Sequence, residues 1–124
     1  MPVFVAVAIG GSLGALARYG IDRALEQRVM ALFPRSTFIV NMTGCFAAGV
    51  IISSLVDRHE VPGWMRVGLV MGFLGAYTTY STFAQETWEL TDDRHLLIAS
   101  LYVAASLAVG VFAVALGHVV GRQL

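Results

Sequence analysis

The sequence predicts an all-α membrane protein of four transmembrane helices, the third of them broken at mid-membrane depth. Three observations lead there. First, apolar residues make up 57% of the 124-residue chain and charged residues only 13%, whereas soluble domains carry about a quarter charged residues. Second, four apolar stretches are each long enough to cross roughly 30 Å of hydrocarbon at about 1.5 Å per residue. Third, one of those stretches is interrupted by glycines followed by a run of hydroxyl and aromatic residues. So little charge cannot cover a water-facing surface of this size, and the expected solvent is lipid.

The four helices are expected over about 2–26, 33–56, 62–90 and 95–120, which together make one transmembrane domain spanning 1–124. The first starts apolar and rich in small residues. With no Lys or Arg before Val3 and no clean cleavage site, it reads as a permanent span. The second is largely apolar and carries Thr37 and Asn41 four residues apart. Polar links separate the spans: 22–28 with Pro34 and Arg35, then Asp57-Arg58-His59-Glu60 with Pro62-Gly63, then Thr91-Asp92-Asp93-Arg94-His95. Thr91 or one of the aspartates is placed to cap the fourth helix. Glycines and alanines recur at four-residue spacing, at Gly10 and Gly14, Gly44 and Ala48, Gly68 and Gly72, and Gly117 and Gly121. In lipid, close backbone approach of this kind is how helices pack.

The net charge is zero, with eight arginines, eight acids and no lysine, so there is no basic patch for nucleic acid. Cys45 is the only cysteine and sits in an apolar run as a small packing residue. His59, His95 and His118 lack ligand spacing, and no nucleophile is paired with a base, so the chain is not expected to be an enzyme. With four spans, Arg58, Arg66 and Arg122 fall on the side of the termini, while Arg23, Arg28, Arg35 and Arg94 fall on the other, joined by Arg18 if it reaches outward. The cationic bias that normally fixes orientation is nearly absent. That balance predicts insertion in both orientations and an antiparallel homodimer.

The chemistry concentrates in Gly72-Phe73-Leu74-Gly75-Ala76-Tyr77-Thr78-Thr79-Tyr80-Ser81-Thr82-Phe83. Glycine and β-branched threonine weaken a helix, and a break is expected near 75–79. A broken helix in lipid leaves backbone polar groups that persist only where they line a cavity or hold an ion. This segment resembles the central motif of the Fluc (CrcB-type) family of fluoride ion channels. Gly10-Gly11-Ser12-Leu13-Gly14-Ala15-Leu16-Ala17-Arg18-Tyr19 resembles that family's first-helix motif, and Asn41 with Gly44 its second-helix asparagine motif.

The resemblance implies a bacterial inner-membrane, multi-pass, dual-topology dimer with two fluoride pores, passing fluoride passively down its electrochemical gradient. It implies a structural Na⁺ at the dimer centre, held by the backbone carbonyls of Gly75 and Thr78. It places Asn41, Tyr80 and Phe83 in the pore, with Ser81 and Thr82 as hydroxyl donors, and Thr37, Glu86, Tyr102 and Ser106 on a second polar track. Tyr80 departs from the family pattern, which has phenylalanine there. Arg18 stands either at a pore mouth or as an interfacial anchor. Trp64 and Trp88 fit interfacial anchors. A small multidrug-resistance-type transporter has a similar span count but needs a carboxylate in its first helix, where 3–19 has none. A non-transporting membrane subunit would explain the small residues but not the clustered hydroxyls and rings.

Overall fold

The computed structural model describes residues 1–26, 32–56 and 61–124, and all the regular structure among them is helical. The charged segment at 57–60, expected as a turn, and Arg28 lie outside the described residues. Helix α1 runs Val3–Glu26. Helix α2 runs Arg35–Ile51 and widens into π-helical geometry over Ile52–Val56. Helix α3 starts as Gly63–Val67, widens over Gly68–Leu74 and closes with Gly75–Tyr77. Helix α4 runs Tyr80–Asp92 and α5 runs Leu96–Gly121.

All three prolines sit just ahead of a helix, where a missing N–H costs nothing. The carbonyl of Pro2 accepts the Val5 and Ala6 amides at 3.1 and 3.2 Å, and that of Pro62 accepts Met65 and Arg66 at 3.0 and 3.1 Å. Pro34 caps α2 and accepts Phe38 N–H at 3.1 Å, which sets the start of α2 at Arg35 rather than 33. The end of α4 is closed by two turn bonds, His95 N–H to Leu90 O at 2.8 Å and Arg94 N–H to Thr91 O at 3.1 Å, with Arg94 at φ 62°. This is a Schellman closure with a non-glycine residue in the left-handed position. The expected cap on the last helix is not formed. Thr91 lies inside α4, where its hydroxyl donates back to Thr87 O at 2.8 Å, and α5 starts after His95 with no side-chain cap. The Schellman turn takes up the polar link, so neither Thr91 nor the aspartates reach the α5 amides.

Two helix pairs build the fold, α1 on α3 and α2 on α5. Both use glycine for backbone contact. A Cβ on Gly10 would meet the Gly68 carbonyl, and one on Gly14 the Phe73 carbonyl. In the other pair, a Cβ on Gly49 would meet Val114 O, and one on Gly117 would meet Phe46 O. The outer surface is apolar: Leu16, Leu97, Val111 and Phe112 are exposed, as lipid-facing residues are. Three stretches, Val3–Leu25, Arg35–Leu55 and Leu96–Gly121, are long and apolar enough to cross a membrane. The predicted third helix is indeed broken: it forms two helices, α3 and α4, joined by two extended residues beside the middle of α2.

Candidate functional site

The interruption between α3 and α4 is confined to Thr78 (φ −81°, ψ 158°) and Thr79 (φ −146°, ψ 118°). Gly75–Tyr77 stays helical, so the interruption is shorter than the expected 75–79. Low propensity alone does not open a helix in lipid, because each lost backbone bond must be replaced. The chain opens where replacements exist. Thr79 N–H donates to Asn41 Oδ1 at 2.8 Å, and Asn41 Nδ2 donates to Thr79 O at 3.0 Å. The Asn41 side chain thus pairs with both main-chain groups of one residue. Thr79 Oγ1 then caps α4 by accepting Thr82 N–H at 3.2 Å and donates to Thr82 Oγ1 at 2.9 Å. Thr78 is tied to the end of α3, its N–H and Oγ1 both donating to Leu74 O, at 3.0 and 2.9 Å.

A cleft of about 460 Å³ opens beside this break. Asn41, Gly75, Thr78, Tyr80, Phe83 and Ser106 are among the residues on its wall. Tyr80 is 80% exposed, and its ring centroid lies 5.9 Å from that of Phe83. The ring series continues inward, Phe83 to Tyr102 at 5.0 Å and Tyr102 to Phe33 at 5.3 Å.

The residues assigned to a second polar track divide. Thr37 Oγ1 donates to Glu86 Oε1 and Tyr102 OH donates to Glu86 Oε2, each at 2.7 Å. Two buried residues, Thr37 from α2 and Tyr102 from α5, therefore meet on the carboxylate of Glu86 in α4. Ser106 is not part of that set and lies on the cleft wall. A second, more polar crevice of about 260 Å³ is lined by Arg18, Asp22, Thr37, Thr79 and Thr82 among others. Arg18 thus stands on the crevice wall. Ser81 is exposed at the first turn of α4, with its Oγ 3.4 Å from Thr79 Oγ1.

Sequence reasoning missed Thr79 and Asp22. Thr79 carried a signal, a threonine three residues ahead of Thr82 at a helix start, which is the N-cap spacing. Asp22 accepts a hydrogen bond from Ser36 Oγ across the α1–α2 link, a pairing that spacing along one helix does not reveal.

Residues 5–118 match the family model described as CrcB-like protein, Camphor Resistance (CrcB). Among curated proteins, the chain is 44% identical over 119 residues to the fluoride-specific ion channel FluC of Acidobacterium capsulatum, covering 95% of this chain and 94% of that one. It is 38% identical to the protein of the same name from Solibacter usitatus, covering 97% and 98%. It is 39% identical to that of Trichormus variabilis, covering 95% and 87%.

Proposed function

The chain belongs to the CrcB-like (Camphor Resistance) family, and from that premise we propose that it is a passive, fluoride-selective channel of the bacterial inner membrane. The observation that carries the reading is the cleft at the broken helix, where an amide, two aromatic rings and a serine converge. Fluoride is a small, strongly hydrated hydrogen-bond acceptor, and donors on a narrow path replace part of its water shell. The Asn41 amide has two hydrogens. One goes to Thr79 O, and the other serves an anion in the cleft. The positive edges of Tyr80 and Phe83 face the ion while their bodies exclude water. Ser81 and Thr82 add hydroxyl donors. Several shallow stations of this kind let the ion leave as readily as it enters. On the second track, Glu86 is held by Thr37 and Tyr102, so its carboxylate is satisfied by donors beside the anion's route. Arg18 raises local anion concentration at the crevice. Fluoride that entered as neutral HF then flows out down its gradient.

The working form is an antiparallel dimer with two pores and a structural Na⁺ on its axis. α3 and α4 together make the fourth crossing. The backbone suits such an ion. A full helix would bond Gly75 O to Thr79 N–H and Thr78 O to Thr82 N–H, but both amides are engaged elsewhere. Two carbonyl oxygens per chain are a fitting donor set for a hard cation. When bound, Na⁺ supplies positive charge that fixes the broken helices and offsets those carbonyl dipoles.

The test is ion efflux from liposomes carrying the purified protein, read with fluoride and chloride electrodes in parallel. Fast fluoride efflux without chloride is expected, with a faster rate in Tyr80→Phe, which removes the extra hydroxyl from the cleft. Equal chloride and fluoride flux would sink the selectivity. No efflux from a folded, inserted protein would overturn the channel reading in favour of a non-transporting membrane subunit.

A further inference from the structure

The break takes the helical donors away from the carbonyls of residues 75–78, and side chains take up two of those donors. Thr79 N–H, the helical donor for Gly75 O, is taken by Asn41 Oδ1 at 2.8 Å. Thr82 N–H, the helical donor for Thr78 O, is taken by Thr79 Oγ1 at 3.2 Å. In each case one side-chain acceptor replaces one carbonyl, so no amide goes unsatisfied while a carbonyl is set free. The Thr79 carbonyl is treated in the opposite way, because Asn41 Nδ2 donates to it at 3.0 Å. Gly75 and Thr78 both line the cleft, together with Leu74 and Thr79.

We propose that Asn41 and Thr79 are positioning residues that hold the Gly75 and Thr78 carbonyls open for a cation by diverting the two amides that would otherwise close on them. Asn41 also lines the fluoride cleft, so one side chain joins the anion path to the cation site. This rests on the sodium reading above and deepens it. Free carbonyls in lipid are costly, and Na⁺ is the group that makes the diverted arrangement favourable. Without the diverting side chains, the amides return to Gly75 O and Thr78 O, the helix closes, and the cation loses its ligands.

The experiment is thermal unfolding of the full chain in detergent, in sodium chloride and in N-methylglucamine chloride at equal ionic strength. The wild type is expected to unfold at a higher midpoint in sodium. Asn41→Ala and Thr79→Val are expected to lose most of that difference, and Thr79→Ser, which keeps the hydroxyl, to retain it. General structural damage lowers the midpoint in both salts and leaves the difference in place. A full sodium shift in folded Asn41→Ala or Thr79→Val would overturn the positioning role while leaving the sodium reading standing. No sodium shift in the wild type would sink the sodium reading, and the proposal with it. If Asn41→Ala does not fold, Thr79→Val against Thr79→Ser decides the matter alone.

Discussion

At Glu86, two hydroxyls from different helices end on the two oxygens of one carboxylate, each at 2.7 Å. Tyr102 is wholly buried, and its ring lies 5.0 Å from Phe83. Losing either hydroxyl leaves the carboxylate half-satisfied in a poor solvent for charge. Interhelical hydrogen bonds in membranes average about 0.6 kcal/mol and reach about 1.7 kcal/mol, and bonds to charged groups sit at the upper end. Thr37→Val and Tyr102→Phe are each expected to cost about 1 kcal/mol in reversible unfolding and to slow fluoride efflux several-fold. Because both donors share Glu86, the double variant is expected to depart from additivity by more than about 0.5 kcal/mol. Additive costs would mean that the carboxylate does not join them. Much of this set is legible by resemblance, which groups Thr37, Glu86 and Tyr102. The resemblance also places Ser106 with them, but Ser106 lies on the cleft wall and does not share the Glu86 carboxylate. Asn41 was legible as a polar residue in an apolar helix, and its pairing with Thr79 was not, since that contact joins positions far apart in sequence.

Element boundaries show what local signals can carry. The glycine-rich stretch at 72–75 predicted trouble for the third helix, yet Gly75–Tyr77 is helical and the chain opens only where Asn41 and the Thr79 hydroxyl supply substitute bonds. Propensity marked the neighbourhood, and tertiary partners chose the residues. The same holds at the far end of α4, where Arg94 takes the left-handed position that glycine normally fills. A side chain there costs roughly 1–2 kcal/mol. Arg94→Gly is therefore expected to stabilise the protein by about 1 kcal/mol in a denaturant titration. A loss of stability would mean that the Arg94 side chain matters more than its backbone strain. Helix pairing was more fully legible, since the small-residue spacing at Gly10, Gly14 and Gly117 falls where backbones touch. Gly117→Leu would drive its side chain into the Phe46 carbonyl on α2. Overpacking of that kind costs about 1–3 kcal/mol, and the α2–α5 pair is expected to loosen, lowering the unfolding midpoint. An unchanged midpoint would show that the two helices separate freely there.

For the whole molecule, the decisive quantity is the charge balance across the membrane. Among the described residues, Arg66 and Arg122 lie at the end that holds the termini, and Arg23, Arg35 and Arg94 lie at the other. Cations near helix ends set orientation, and acids contribute little, so this chain has almost no instruction to insert one way. If the working form is an antiparallel dimer, that neutrality is a functional requirement, because each dimer needs one copy of each orientation. A C-terminal reporter active only in the cytoplasm and one active only outside are both expected to give signal on the wild type. Gly63→Lys with Gln123→Lys adds two cations at the terminal end, and Asp92→Lys with Asp93→Lys adds two at the opposite end, all at exposed positions. Each pair is expected to drive the reporter to one side, in opposite senses, and each biased variant expressed alone is expected to lose most of its fluoride efflux. Co-expressing the two is expected to restore it, since opposite copies can pair again. Full efflux from a single biased variant held in one orientation would exclude the antiparallel dimer. A wild type that reports from one side only would do the same, leaving the pore to be built from parallel copies or from one chain.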